Sequence, residues 1–165
     1  MTDLCAKVFR KMFEYENGVT HRIQHFTKVH NYAALIAMSE GVDEKTQELI
    51  ELAAMVHDCG IKPSLEKYGS SAGPYQEKEG KEVCKEILRS CGVSEDFIER
   101  ISFIVGHHHT YKDVDGLDWQ IILEADFLVN GFEDSMSKSA IEKSRDSWFK
   151  TETGKTLLNQ MFGLE

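Results

Sequence analysis

Apolar residues recur along most of the chain at spacings of three and four positions, which is the period of an α-helix. The first such stripe runs through "LCAKVFRKMF". A second begins after Thr20, a residue type that favours the N-cap position, and ends at Gly41. A third begins near Asp43 and runs into the stretch "MVHDCGIK". The pattern therefore predicts three helices before residue 60.

A segment rich in turn-forming residues follows. Both prolines of the chain, Pro63 and Pro74, lie in "KPSLEKYGSSAGPYQ", which we predict to be a long loop over residues 62–76. Helical periodicity then returns and predicts a fourth helix ending near Gly92, a fifth leading into "GHHH" and a sixth in "WQIILEADFLVN", with one or two more in the tail. Because no segment shows the alternation of a strand, the sequence predicts an all-α fold.

Length and composition favour one folded domain over residues 1–165, since a chain of 165 residues can bury one sizeable core. The chain is 41% hydrophobic and 28% charged, which is too apolar for a disordered protein. No apolar run reaches the roughly 20 residues that span a bilayer, and the start of the chain lacks a signal-peptide pattern. We therefore expect a cytoplasmic protein that does not bind membranes.

The net charge and the cysteine spacing argue against two further classes, nucleic-acid-binding proteins and disulfide-stabilised proteins. A formal net charge of -9 argues against a nucleic-acid polymer as partner, because such proteins cluster Lys and Arg against the phosphates. The four cysteines show no C-x-x-C spacing, and we expect them to be reduced packing residues rather than a disulfide framework.

Four polar residues lie within or at the end of the apolar stripes, in positions that we expect to be buried. A buried polar group needs a partner. Asp126 lies inside "IILEADFLVN", and an ionised carboxylate in that setting must be paired. His25 shares the apolar face of its own helix, and the doublet His57-Asp58 closes the third helix. Two imidazoles and two carboxylates suit a divalent transition ion such as Mn, Fe, Co, Ni or Zn better than calcium.

The order His…His-Asp…Asp on helices resembles the HD-domain superfamily of metal-dependent phosphohydrolases, with a core motif region at about residues 20–132. The resemblance implies a single-domain HD-type helical bundle that holds a metal through His25, His57, Asp58 and Asp126. It further implies hydrolysis of a small phosphoester, such as a nucleotide, through a metal-activated water. In such a site Asp58 could both bind the ion and orient the attacking water.

Five further residues are candidates for catalysis or for substrate binding. Lys62 lies four positions after the aspartate of the doublet and could meet a phosphate as a point charge, while Arg22 lies one turn before the first histidine. His107 and His108 resemble the paired histidines of HD proteins that hold two metals. Gln76, however, stands where those proteins carry another histidine. We therefore expect one tightly held ion, with His107 and His108 lining the pocket, binding phosphate or weakly holding a second ion.

The segment predicted to be a loop, residues 62–76, is long for a compact domain, and long loops of this kind often act as lids. Its candidate substrate contacts are Tyr68, Tyr75 and Gln76. Of the histidine run, we expect His109 to contribute least.

Two other functions stay open at the level of sequence. Some proteins of HD-type fold hold two irons and activate oxygen, and the glutamine at position 76 counts against that reading. A domain that keeps the fold could also sense a nucleotide without turning it over, although all the principal ligands for chemistry are present. The tail motif "TETGKT" resembles the end of a phosphate-binding loop but lacks its first glycine and a preceding strand, so we expect no nucleotide loop there.

Overall fold

Nine α-helices account for most of residues 1–164, the part of the chain that this computed structural model describes. They are α1 (Asp3–Tyr15), α2 (Thr20–Ser39), α3 (Glu44–Val56), α4 (Ile61–Tyr68), α5 (Gly73–Ser90), α6 (Glu95–Val105), α7 (Leu117–Glu133), α8 (Lys138–Trp148) and α9 (Glu152–Phe162). Over the same residues the structure contains no strand. The prediction of an all-α fold is confirmed.

Capping residues set several helix starts. The side chain of Asp43 accepts a hydrogen bond from the backbone N–H of Thr46 at the start of α3, as the sequence predicts. Thr151 caps α9 in the same way. At α2 the prediction is off by one residue, because Thr20 is the first helical residue and Val19 occupies the cap position without a side-chain bond.

The hydrophobic core is centred on α7, which packs against α2, α3 and α9. Most residues of α7 are buried, and its apolar side chains extend around the helix, as expected of a helix enclosed by others. A second layer is formed by α5 and α6, which pair with each other, while α4 packs on α5. Within residues 1–164, no helix has the length and apolar character needed to cross a membrane.

The prediction of a long loop over residues 62–76 is wrong. The segment contains α4 and the start of α5, so that only residues 69–72 connect the two helices. Pro63 and Pro74 each lie near the start of a helix, where a missing N–H costs no intrahelical hydrogen bond. Gly69 ends α4 in the left-handed region, at φ +64°. A long flexible lid is therefore absent from this part of the described chain.

Candidate metal centre

A short turn between α3 and α4 carries the His-Asp doublet. It is fixed from two sides: the hydroxyl of Tyr15 donates to the carbonyl of Cys59 at 2.9 Å, and Gly60 lies against α5. A Cβ at Gly60 would clash with the carbonyl oxygen of Gln76, so only glycine allows the turn to approach that helix. The turn thus holds the doublet rigidly between α1 and α5.

The structure brings together the four residues that the sequence suggests as metal ligands. His25 Nε2, from α2, lies 3.3 Å from Asp58 Oδ2 and 3.1 Å from Asp126 Oδ1, which comes from α7. His57 Nε2 lies 3.5 Å and 3.4 Å from the same two oxygens. Each of the two nitrogens therefore lies within 3.5 Å of both carboxylate oxygens, and His25, His57 and Asp58 form a group whose ligand atoms lie within 4.8 Å of one another. Together with Asp126 they make a donor set that suits a divalent transition ion.

In His25 and His57, the contact made by the outer ring nitrogen, Nδ1, determines that Nε2 is the nitrogen that faces the two carboxylates. His57 Nδ1 lies 2.8 Å from the carbonyl oxygen of Ala54 and must donate to it, which leaves Nε2 with its lone pair directed inward when the ring is neutral. This Nε2 is fully buried and has no hydrogen-bond partner among the described residues. His25 Nδ1 is held in the same way, 2.9 Å from Glu133 Oε2. A buried, unpartnered nitrogen beside two carboxylates is the arrangement that a metal ion satisfies.

The electrostatics of the cluster also favour a cation. Burial by itself lowers the pKa of His25, but the hydrogen bond to Asp126 and the charge of Asp58 outweigh it and raise that pKa to about 10. Burial raises the pKa of the carboxyl groups of Asp58 and Asp126, yet the neighbouring histidines hold each pKa well below its usual range. The two carboxylates therefore attract positive charge, and a divalent ion would displace protons from the imidazoles when it binds.

A second cluster adjoins the first through the other oxygen of Asp58. His108 Nε2 lies 3.3 Å from Asp58 Oδ1, and His108 Nδ1 donates to the carbonyl of Val105 at 2.7 Å. His108 Nε2 is also buried and has no hydrogen-bond partner within residues 1–164. His109 completes a three-residue group with ligand atoms within 4.8 Å of one another. Asp58 therefore faces two clusters, and the second contains His108 and His109 rather than His107 and His108.

Two predicted site residues lie elsewhere. The ring of His107 stacks on Phe103 with centroids 4.2 Å apart and contacts Trp119, because consecutive residues project in different directions and the run cannot send all three side chains inward. Lys62 Nζ lies 3.4 Å from the carbonyl oxygen of Tyr15 and 5.1 Å above its ring. Lys62 therefore packs on the end of α1 and does not line the cavity beside the ligands.

A cavity of about 360 Å³ opens beside the four ligands and is lined by Arg22, Gln76 and His109 among others. Arg22 is held in place by the buried carboxylate of Glu16, whose Oε2 lies 2.7 Å from Nε and 2.6 Å from Nη2. Gln76 donates to the carbonyl of Ser71 at 2.6 Å, while its Oε1 lies 3.2 Å from His109 Nε2. Both Arg22 and Gln76 were predicted to bind substrate, and both face this cavity.

The two tyrosines predicted as lid contacts do not line the cavity. Tyr68 and Tyr75 stack on each other with ring centroids 4.3 Å apart, and the hydroxyl of Tyr68 donates to Glu79 Oε1 at 2.7 Å. These rings join the facing surfaces of α4 and α5 instead.

Two supporting residues were overlooked at the level of sequence. Asn130 donates to Asp126 Oδ2 at 2.9 Å. Glu133 contacts the outer nitrogen of His25 through one oxygen and accepts a hydrogen bond from Lys28 Nζ through the other, at 2.9 Å. Their positions, four and seven residues after the ligand aspartate, place them on its helix face, and this spacing is the signal that could have revealed them.

The family model of the HD domain matches residues 22–148, a span that includes all four ligands. The chain belongs to the HD-domain family. The resemblance drawn from the order of the ligands is therefore confirmed, as is the HD-type helical bundle.

A solved structure supports the fold of this HD domain. It is the crystal structure of a predicted HD superfamily hydrolase from an uncultured Thermotogales bacterium, which is 23% identical in sequence. The alignment covers 98% of this chain and 84% of that chain, with a TM-score of 0.65. No curated protein matches the sequence significantly.

Proposed function

We propose that this HD domain is a metal-dependent phosphohydrolase that cleaves a small phosphoester, such as a nucleotide. The observation that carries the proposal is the pair of imidazole nitrogens that each lie within 3.5 Å of Asp58 and of Asp126, with the buried Nε2 of His57 left without a hydrogen-bond partner among residues 1–164. His25, His57, Asp58 and Asp126 would hold the ion, which we expect to be Mn, Fe, Co, Ni or Zn. When bound, such an ion supplies an acidic water molecule and a positive charge beside the phosphoryl group.

The residues around the ligands would orient the substrate and the water. Asp58 directs Oδ2 toward the four-atom cluster and Oδ1 toward His108, so that the carboxylate can accept a hydrogen bond from the attacking water on the second side. Arg22 uses Nε and Nη2 to bind Glu16, which leaves Nη1 for a phosphoryl oxygen. Because Glu16 is buried, the guanidinium is fixed before substrate arrives and loses little conformational entropy on binding.

The test is a hydrolysis screen with a defined metal content. The purified protein would be loaded with each of the five metals in turn and assayed for phosphate or alcohol release from a panel of phosphomonoesters and phosphodiesters. We expect hydrolysis of at least one substrate and about one tightly bound ion per chain. Asp58→Ala should lose both. If protein that carries the metal hydrolyses nothing on the panel, the proposal is overturned.

The second cluster is the observation that raises one alternative function, a di-iron oxygenase. Asp58, His108 and His109 could hold a second ion next to the first. Among residues 1–164, however, this cluster offers three ligands, and Gln76 adjoins His109 in place of a further histidine. Two irons per chain with a mixed-valent electron paramagnetic resonance signal, and no phosphoester hydrolysis, would favour this alternative over the phosphohydrolase.

A further inference from the structure

A second cavity of about 360 Å³ lies between the segment that follows α6, the first part of α7 and the end of α8. Among the described residues, none lines both this cavity and the one beside the metal ligands. Its wall includes two aromatic rings, a carboxylate, an amide and an ammonium group. These belong to Tyr111, Trp148, Asp113, Gln120 and Lys150. The cavity therefore offers both flat apolar faces and polar groups.

The aromatic part of the wall is supported from behind. The rings of Tyr111 and Trp148 lie with centroids 4.5 Å apart and planes at 41°. Trp148 in turn rests on Phe127, at 5.2 Å and 87°, and on Phe149, at 4.6 Å. Tyr111 is 39% exposed, so part of its surface stays open. A rigid aromatic wall with one open face is suited to stacking against a planar ring.

A fixed hydrogen-bond acceptor lies beside these rings. The amide nitrogen of Gln120 donates to Glu124 Oε1 at 2.7 Å and to the carbonyl of Trp148 at 3.0 Å, which uses both amide hydrogens. The side chain is 6% exposed, and Oε1 has no hydrogen-bond partner in residues 1–164. The amide therefore presents its oxygen as an acceptor in one fixed orientation. Asp113, which also lines the cavity, adds a second acceptor.

The position of this cavity relates it to the metal centre. Tyr111 follows the cluster residue His109 by two positions, and Gln120 precedes the ligand Asp126 by six, a rise of about 9 Å along α7. The second cavity and the candidate metal centre therefore both draw residues from the same two segments of the chain.

We propose that this second cavity binds a heteroaromatic ring with hydrogen-bond donors on its edge, such as a nucleobase. The ring stacks on the exposed part of Tyr111, which Trp148 supports, and its N–H groups donate to Gln120 Oε1 and Asp113. This binding requires no hydrolysis, so the inference goes beyond the proposed function and can be tested apart from it.

The test is a titration of the intact chain of residues 1–165 with adenosine, guanosine, cytidine and uridine. Tryptophan fluorescence reports the site, because Trp148 lines the cavity whereas Trp119 is only 2% exposed, and calorimetry gives the stoichiometry. We expect saturable binding of at least one nucleoside at one site per chain. Saturation by none of the four overturns the proposal.

Matched variants locate the binding. Tyr111→Leu should weaken nucleoside binding at least tenfold, whereas Phe103→Leu, which removes an equally exposed ring elsewhere on the surface, should leave it unchanged. Asp113→Asn keeps a residue type that tolerates the left-handed backbone at φ +55° and should weaken binding of rings that donate to the carboxylate. Equal effects of the two ring removals, or no effect of Tyr111→Leu, would place the nucleoside elsewhere.

The bound ring could be part of the substrate or could belong to a separate ligand, and a second comparison distinguishes these two cases. If the ring is part of the substrate, the nucleoside 5′-monophosphate should bind more tightly than the nucleoside to the metal-loaded protein, and Asp126→Asn should remove that advantage. If the ring belongs to a separate ligand, nucleoside and monophosphate should bind equally in both proteins. Either result supports the cavity, provided that Tyr111→Leu weakens the binding.

Discussion

Both nitrogens of His25 are engaged, and the outer one depends on a single residue. Glu133 holds Nδ1 at 2.9 Å and is itself bound by Lys28, so the imidazole presents Nε2 to the cluster in a fixed orientation. A carboxylate in this position also makes the coordinating nitrogen more basic. We therefore expect Glu133 to position His25 for a metal ion.

Replacing Glu133 should weaken the metal site without unfolding the protein. We expect Glu133→Ala to lower metal affinity by about 10- to 100-fold, the usual effect of losing such a supporting group. Glu133→Gln should cost less, since its amide oxygen can still accept from Nδ1. Competition with a chromophoric chelator measures the affinity, and Glu66→Ala, an exposed glutamate on α4, is the control. Unchanged affinity in Glu133→Ala would contradict the assignment.

The adjacent histidines of the run differ in environment and should differ in effect. His108 is 1% exposed and directs Nε2 toward Asp58, whereas His107 stacks on Phe103. We expect His108→Ala to lower phosphohydrolase activity at least tenfold and His107→Ala to leave it within about twofold, an energetic difference of about 1 kcal/mol or more. Steady-state kinetics of the two variants on one substrate make the comparison. Similar losses in both would contradict the orientation of the run.

That His25, His57, Asp58 and Asp126 lie together could be predicted from sequence, because a buried charge must be paired and each lies in or at the end of an apolar stripe. The run of three histidines gave no such guidance. Which of them faces inward depends on where α6 ends and how the chain turns after Val105. Tertiary packing decides which histidines point inward. The sequence therefore predicts His107 and His108 in the site, whereas the structure places His108 and His109 there.

Among the helices, α9 depends most visibly on one buried side chain. Glu124, fully buried on α7, accepts hydrogen bonds from the backbone N–H groups of Lys150 and Thr151, at 2.6 Å and 3.0 Å, and from the hydroxyl of Thr151. Gly154 leaves room for this carboxylate, since a Cβ there would overlap with Glu124 Oε2. The start of α9 is thus fastened to the central helix.

Truncating Glu124 should loosen this attachment. Glu124→Ala leaves several buried donors unsatisfied at about 1 kcal/mol or more each, and we expect a loss of about 3 kcal/mol in the free energy of unfolding. Urea denaturation measures the loss. Glu152→Ala, an exposed residue on the same helix, should change stability by less than about 1 kcal/mol. A loss for Glu124→Ala no larger than that of the control would contradict the role.

Helix periodicity predicted most helices of the chain, but it failed over residues 62–76. Proline and glycine there indicated a loop, yet both prolines lie near helix starts and the glycines flank the short connection between α4 and α5. The same residue types favour loops and helix ends, and only contact with the rest of the fold decides between them.

At the scale of the whole molecule, the four candidate metal ligands come from elements that are far apart in sequence. His25 lies on α2, the doublet on the turn after α3, and Asp126 on α7, and these helices form the centre of the core. An ion that binds only the folded arrangement stabilises it by mass action. The metal should therefore act on global stability as well as on chemistry.

Removing the metal should lower the melting temperature. At a free metal concentration about 100 times the Kd, we expect the bound ion to contribute about 2.7 kcal/mol, or several degrees in Tm for a chain of this size. Calorimetry before and after treatment with a chelator measures the shift. Asp126→Asn should show a much smaller response to metal. A wild-type Tm that is independent of metal would argue that the cluster does not bind an ion in solution.

Because its two oxygens face different clusters, Asp58 should affect the order in which metal ions bind. A carboxylate that serves two neighbouring clusters would bring two cations close together, where they repel each other. The four-ligand cluster would load first, and the three-ligand cluster only at higher concentration, in a separate and weaker step of the titration. The metal content of a preparation should then vary with its buffer, near one ion per chain after dialysis against metal-free buffer and closer to two in excess metal.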